Sequence, residues 1–393
     1  SSSRGTINLL RLLFAASLCS AGIISPSAWF LVIPGLALLF YVLIRYTGST
    51  WKAVWYGLLF GTVTGGAGTI WFLNTLPLDF LGIQNTTVQV CAVTMTWLYV
   101  AISLGAPIGF AAPLIYFARS SRLFPLAAAL MWVVAETGRM WSFAITTWAP
   151  TSLFGPHFSI ASIGFPLTES TTLLQLAHPL GINALNFFAA LIAAQLATLP
   201  LVYHTKRWTG AASLAIATLA LGVAPTLSTT TSSAQTTSHL RFAIISEHHL
   251  KVRDFSSHEI VLDLLAQAAA AQPPVDVVLL PEEFSLTSLF WSREDAATFI
   301  KQHFGDRDVL ILNSRNERFP ADETNELLDS KKLVYDSTQH GEIGRYVKLM
   351  LMPLGEYAPA FTKTFFSLIN DPELQLYIND VGELPPPGRQ LSS

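Results

Sequence analysis

Acidic side chains are almost missing from the first 225 residues, which hold Asp79, Glu136 and Glu169 against nine Lys and Arg. The remaining 168 residues hold 23 acidic and 14 basic side chains. The first part is therefore net +6 and the second net −9. So few ionisable groups mark a bilayer-spanning region, whereas the second part has the charge density of a soluble domain. Cysteine is nearly missing too. Cys19 and Cys91 both stand in apolar runs, offering neither a disulfide framework nor a metal-ligand spacing, and read as small buried hydrophobes. Charged residues make up only 12% of the chain, and the absence of basic clusters leaves no nucleic-acid footprint. Against these deficits stand 51% hydrophobic residues and a mean hydropathy of +0.45, too apolar for a cytosolic enzyme of this length.

Apolar runs near the ~20 residues that cross a bilayer occur at about 6–25, 28–46, 53–74, 88–117, 122–140, 181–203 and 208–225. The first is not a cleaved leader, because no small-residue cleavage pattern follows it and further runs come soon after. Seven crossings predict a polytopic helical domain over residues 1–225. Arg4 and Arg11 precede or open the first run, and Arg45, Lys52, Arg119, Arg122, Lys206 and Arg207 fall in alternate loops on the same side. The opposite side has Arg139 as its one basic residue, together with Asp79, Glu136 and Glu169. This asymmetry predicts a cytoplasmic amino terminus and places residues after 225 outside.

Intramembrane ionisable groups other than Glu136 and Arg139 are scarce, which disfavours an ion-coupled transporter. The Thr64-Gly65-Gly66-Ala67-Gly68 stretch predicts close helix packing. Between about 141 and 180 the chain is rich in Trp, Phe, Gly and Pro, including Trp141, Trp148, Phe154, Gly155, Pro156, Phe165 and Pro166. Packed interfacial loops are expected there, serving either as an aromatic belt at the headgroups or as a substrate lining.

Residues 226–239 form a polar, low-complexity linker. Beyond it, apolar runs at Leu240–Ile245, Val275–Leu280, Val309–Leu312 and Lys332–Tyr335 alternate with helical patterns from Ser257 and from about Ser292. Ser256-Ser257-His258-Glu259 has the spacing of a capping box ahead of Ile260, Leu264, Leu265 and Ala268. This alternation predicts a layered α/β domain over 240–393. Two places could carry its chemistry. Glu282 follows Pro281 at the end of a buried-type strand, where α/β folds place reacting groups, although a solvent-facing or helix-capping Glu has the same signature and Glu283 is a rival. Lys348 stands alone among apolar neighbours, eight residues before Glu356 in Gly355-Glu356-Tyr357, and an ordinary surface lysine is the alternative.

The order strand, helix, strand ending in Pro-Glu, then a Lys motif, resembles a nitrilase-type domain, an αββα sandwich. The Tyr346-x-Lys348-x-x-Leu-x-Pro353-x-Gly355-Glu356-Tyr357-x-Pro359 pattern resembles that of the apolipoprotein N-acyltransferases, which join such a domain to a polytopic membrane domain. The resemblance extends through Thr172–Phe188 and Gly341–Tyr346. It implies Glu282 as general base, Lys348 as the cation near the reacting carbonyl, and Glu356 as a supporting carboxylate. It also implies a phospholipid acyl donor, a diacylglyceryl apolipoprotein acceptor, no cofactor or metal, and a monomer among membrane lipids. The expected location is a bacterial inner membrane, with the nitrilase-like domain on the periplasmic side.

Three departures stand out: Ser246-Glu247 where the family tends to have Gln-Gly, Leu349-Met350 in place of more polar residues, and Leu354 for a common Phe. The family's nucleophilic cysteine has no counterpart, since Cys19 and Cys91 both lie in the membrane half. The sequence is therefore expected to be a fragment cut before its nucleophile and the family's closing transmembrane helix, inactive as it stands. A membrane-tethered amidase and a catalytically dead scaffold remain the alternatives. Leu286, Leu289, Phe290, Trp291, Phe361, Phe365 and Phe366 would meet an acyl chain or the membrane surface, or else pack in a core.

Overall fold

A computed structural model describes residues 2–78, 85–149, 154–202, 240–245, 255–280, 293–320, 327–338, 341–347 and 359–361. The chain divides into two compact units. One contains Ser1–Trp148, Phe154–Ser233 and Pro359–Tyr377, and the other contains Ala234–Ala358.

The first unit is helical: α1 (Ser2–Ile24), α2 (Val32–Arg45), α3 (Thr50–Gly68), α4 (Thr86–Phe117), α5 (Phe124–Thr146), α6 (Gly164–Leu167), α7 (Thr171–Leu180) and α8 (Ile182–Val202). Local sequence sets several of the starts. Ser49 accepts from the Lys52 amide ahead of α3, Asn85 accepts from Thr87 and Val88 ahead of α4, and Ser170 accepts from Leu173 ahead of α7. Pro26 opens a 3-10 segment, Pro26–Leu31, that runs directly into α2. Together they span about 33 Å, close to the thickness of a bilayer's hydrocarbon.

Helices occupy six of the seven apolar runs, and 208–225 lies outside the described residues, as does the linker 226–239. Four of the six are long and apolar enough to cross a membrane: Gly5–Ile24, Pro26–Arg45, Thr86–Ser120 and Ile182–Pro200. Among the described residues α3 and α5, whose runs also predict spans, do not reach that apolarity. The reason is polar content, because α3 carries Lys52, five glycines and three threonines, and α5 carries Glu136 and Arg139. Between 154 and 180 the expected loops are partly helical, as α6 and α7.

Helix α3 packs along α4, α4 along α5, and α8 against α2 and α5. Their core includes Leu12, Leu36, Leu39, Phe40, Phe60, Ile108, Ile115 and Trp132, all essentially inaccessible. Trp132 meets Phe40 and Phe60 edge-on at 6.0 and 6.2 Å. Glycine permits the close crossing of α3 and α4, because a Cβ on Gly61 would lie 2.8 Å from Gly105 Cα. Small residues in the 64–68 stretch behave as expected. Gly65 faces Leu104 and Ala101 of α4, and the Gly66 carbonyl accepts from Trp97 Nε1 at 3.0 Å.

The second unit is a mixed α/β structure. Its strands are β1 (Phe242–Ile244), β2 (Val277–Leu279), β3 (Leu310–Pro320), β4 (Leu327–Ser337) and β5 (Gly341–Val347), in that spatial order. Helix α9 (Phe255–Ala270) lies between β1 and β2 in sequence, and α10 (Arg293–Phe304) between β2 and β3. Strands β1, β2 and β3 are mutually parallel, and β4 is antiparallel to both β3 and β5. Val261, Leu265, Ala268 and Ala269 of α9 pack with Val278, Phe304 and Ile311, as amphipathic helix spacing dictates. Helix α9 begins at Phe255, so Ser256 and Ser257 belong to its first turn rather than preceding it as the capping-box spacing suggests.

Candidate functional site

Glu282, Lys348 and Glu356 lie outside the described residues, as do Glu283, Leu286, Leu289, Phe290, Trp291, Phe365 and Phe366. The elements leading to them are described. Leu279 of β2, Leu312 of β3, Tyr335 of β4 and Gly344 of β5 share one row of the sheet. Strands β2 and β5 run in the same direction, so their carboxyl ends face the same end of the sheet. Glu282 comes three residues after Leu279 in sequence, and Lys348 comes directly after Val347. Three strand spacings separate β2 from β5, about 14 Å. Phe361 is described within the helical unit. Its ring lies 4.7 Å from that of Tyr99 in α4, and the Ala360 amide donates to the Trp148 carbonyl at 2.8 Å.

The best-defined polar centre lies inside the helical unit. Arg139 is 1% exposed and Glu136 3%, and one turn of α5 brings them into an ion pair, Nη1 to Oε1 3.3 Å. The guanidinium also donates from Nε to the Leu104 carbonyl at 3.1 Å, from Nη2 to Thr64 Oγ1 at 3.3 Å and from Nη1 to the Ala161 carbonyl at 2.8 Å. The Glu136 carboxyl is hydrogen-bonded by the Ser162 side chain and the Ile163 backbone. Ser162 Oγ lies 3.0 Å from Asn186 Oδ1 of α8. All of these side chains are buried. A charge in such surroundings persists only when it is paired and its remaining donors are satisfied, which this arrangement provides.

A second polar contact joins α4 and α5. Pro107 has no amide proton for the Ser103 carbonyl, and Ser142 Oγ of α5 donates to that carbonyl at 2.6 Å. Ser103 Oγ lies 2.8 Å from Ser142 Oγ and also contacts Thr146 Oγ1.

Sequence reasoning singled out Glu136 and Arg139 as ionisable groups in an apolar run, and missed Ser162, Asn186, Ser103 and Ser142. The one available signal was Pro107 within a long apolar run, which leaves a carbonyl in need of a donor. Among the described residues no three His, Cys, Asp or Glu side chains converge as a metal site. Cys19 is buried with Sγ 3.4 Å from the Val32 carbonyl, and Cys91 is exposed on α4.

Residues 15–195 match the family described as the apolipoprotein N-acyltransferase N-terminal domain. No curated protein matches the chain. The match covers the last ten residues of α1, α2 through α7 and most of α8, and so coincides with the helical bundle around Arg139. Residues 15–195 are accordingly similar to the N-terminal domain of the apolipoprotein N-acyltransferases, in a unit whose described residues include four helices long and apolar enough to cross a membrane.

Proposed function

We propose that this protein belongs to a system that moves an acyl chain from a phospholipid, through a cysteine thioester, to the α-amine of a diacylglyceryl-cysteine lipoprotein. The observation carrying this reading is the family match of the helical unit, in a chain that also holds an α/β unit. The α/β unit is read as nitrilase-like. The parallel carboxyl ends of β2 and β5, just before Glu282 and Lys348, support that reading.

In the first half-reaction Glu282 takes the thiol proton as sulfur attacks an ester carbonyl of the phospholipid. Lys348 stabilises the oxyanion of the tetrahedral intermediate, and Glu356 holds the ammonium in place. Collapse breaks the ester C–O bond, and the lysophospholipid leaves as an alcohol carrying the proton that Glu282 returns. In the second half-reaction the acceptor amine attacks the thioester, an amide forms and the thiol is regenerated. Cys19, buried in the helical unit, and Cys91, on α4, are the two cysteines of the 393 residues, and neither is assigned the thiolate role. Both substrates are lipids, which suits a catalytic unit joined to apolar helices in an inner membrane with its catalytic side outward.

The test is expression of the whole open reading frame, reconstitution in phospholipid vesicles and intact-mass analysis. A mass increase of one acyl chain, discharged by a diacylglyceryl-cysteine peptide amine, is the expected result. Release of free fatty acid with no amide product would point instead to a hydrolytic amidase-type enzyme.

A further inference from the structure

We propose that Glu136 and Arg139 form a positioning pair that locks the elbow Ile160–Gly164 into the bundle and thereby holds the aromatic segment 154–160 where a phospholipid acyl chain passes. The inference rests on the lipid-acyl reading above and adds to it a place where the acyl chain is guided.

Stability alone would not require charge at this site. Burying an ion pair costs several kcal/mol per ion before its Coulombic return, and a well-packed apolar pair does as well or better. The pair's partners indicate what it is for. Three of them, the Ala161 carbonyl, the Ser162 side chain and the Ile163 backbone, belong to one short elbow, while Thr64 and the Leu104 carbonyl anchor the guanidinium to α3 and α4.

The elbow itself is strained. Ala161 has a φ of 58°, a left-handed conformation unusual for a residue with a side chain. Arg139 holds the carbonyl of that same residue. Gly68 at the end of α3 clears the space, since a Cβ there would fall 2.3 Å from Ala161 Cβ. Gly164 does the same on the far side, where a Cβ would come 2.9 Å from Asn186 Oδ1. A backbone kept in an uncommon conformation by a buried guanidinium, with glycines on both sides, is over-determined in the way positioned segments are.

What the elbow holds is a set of aromatic rings. Phe158 packs edge-on against Phe143 of α5 at 5.9 Å, and Phe154 lies 5.7 Å from Trp141. Phe154 and Trp141 are 52% and 42% exposed, so this apolar face is open to a ligand rather than closed into the core.

The experiment uses the 393-residue chain in vesicles containing a phospholipid with a diazirine at the end of one acyl chain, followed by peptide mapping of the crosslinks. Arg139→Gln and Glu136→Gln are expected to lower labelling of 141–160 by about fivefold and to raise amide hydrogen exchange at 160–164. Labelling around Leu10 and Phe14, which face outward on α1, stays unchanged. Arg139→Lys keeps the charge but loses the fork, and recovers part of the labelling. Unchanged labelling of 141–160 in Arg139→Gln, or loss of protection throughout α1 to α8, would overturn the proposal. In the acyl-transferring protein the same variant is expected to raise KM for phospholipid about tenfold with little change in kcat, and a fall in kcat alone would also overturn it. Failure of the parent protein to transfer acyl groups would reject the acyltransferase reading while the labelling result still judges the pair.

Discussion

Ser142 Oγ donates to the Ser103 carbonyl at 2.6 Å, supplying the proton that Pro107 denies it. A proline inside a long apolar helix leaves a polar carbonyl with nowhere to turn in hydrocarbon, and here the neighbouring helix answers it. Ser142→Ala is expected to cost about 1 kcal/mol, read as a lowered midpoint of thermal unfolding in detergent. Pro107→Ala restores the helical donor, so the cost of Ser142→Ala should shrink in the double variant. An undiminished cost would show that the serine acts in some other way.

The crossing of α3 and α4 depends on Gly61 and Gly105. Any Cβ on Gly61 meets backbone atoms of Gly105 at 2.8 Å, and backbone cannot swing aside as a side-chain tip can. Gly61→Leu is expected to destabilise the bundle by about 3 kcal/mol or more. Gly48→Ala is the control, since nothing lies within 4 Å of its would-be Cβ, and a change within about 0.5 kcal/mol is expected. Pulse proteolysis in micelles compares the two, and equal effects would contradict the packing described.

In the α/β unit Leu265 is fully buried against β2 and β3. Leu265→Ala should cost about 2–5 kcal/mol. Limited proteolysis of the full chain is expected to cut first within 240–347 in this variant, with the helical unit still protected. Early cleavage in both units alike would mean that they unfold as one.

For the proposed chemistry, Glu282→Gln or Lys348→Ala in the product of the whole open reading frame is expected to lower acyl-enzyme formation by about 10²-fold or more. Glu283→Gln should leave it near the parent level. Retention of the acyl-enzyme in the Glu282 or Lys348 variant would remove that residue from its assigned role.

Helix positions were legible because apolar runs of bilayer length are a strong and local signal. Whether each helix crosses a membrane was less so: α3 and α5 read as spans, yet their glycines, threonines and the Glu136–Arg139 pair lower their apolar character below that of α1, α2, α4 and α8. Strand β5 escaped notice as a strand. Gly341-Glu-Ile-Gly-Arg-Tyr-Val347 has two glycines and only two β-branched residues, and its conformation comes from pairing Tyr346 with Leu333 and Val347 with Lys332 of β4. Glu136 and Arg139 stood out from sequence as charges in an apolar run. Their partners Thr64, Ala161, Ser162 and Asn186 did not, because a small polar residue reveals nothing of which charge it will meet until the helices are packed.

The same pair bears on how the polypeptide is made. Arginine near the middle of an inserting helix costs about 2.5–3.5 kcal/mol, so α5 would be a poor insertion substrate on its own. Thr64 and the Leu104 carbonyl are synthesised before it, but Ala161, Ser162 and Ile163 follow some twenty residues later. A nascent α5 would then be only half-satisfied as it emerges, until the elbow residues that complete its polar partners are made. Chains stalled between Arg139 and Ala161 would leave α5 exposed to quality-control proteases, which ties survival of the nascent helix to completion of the segment that it will later hold.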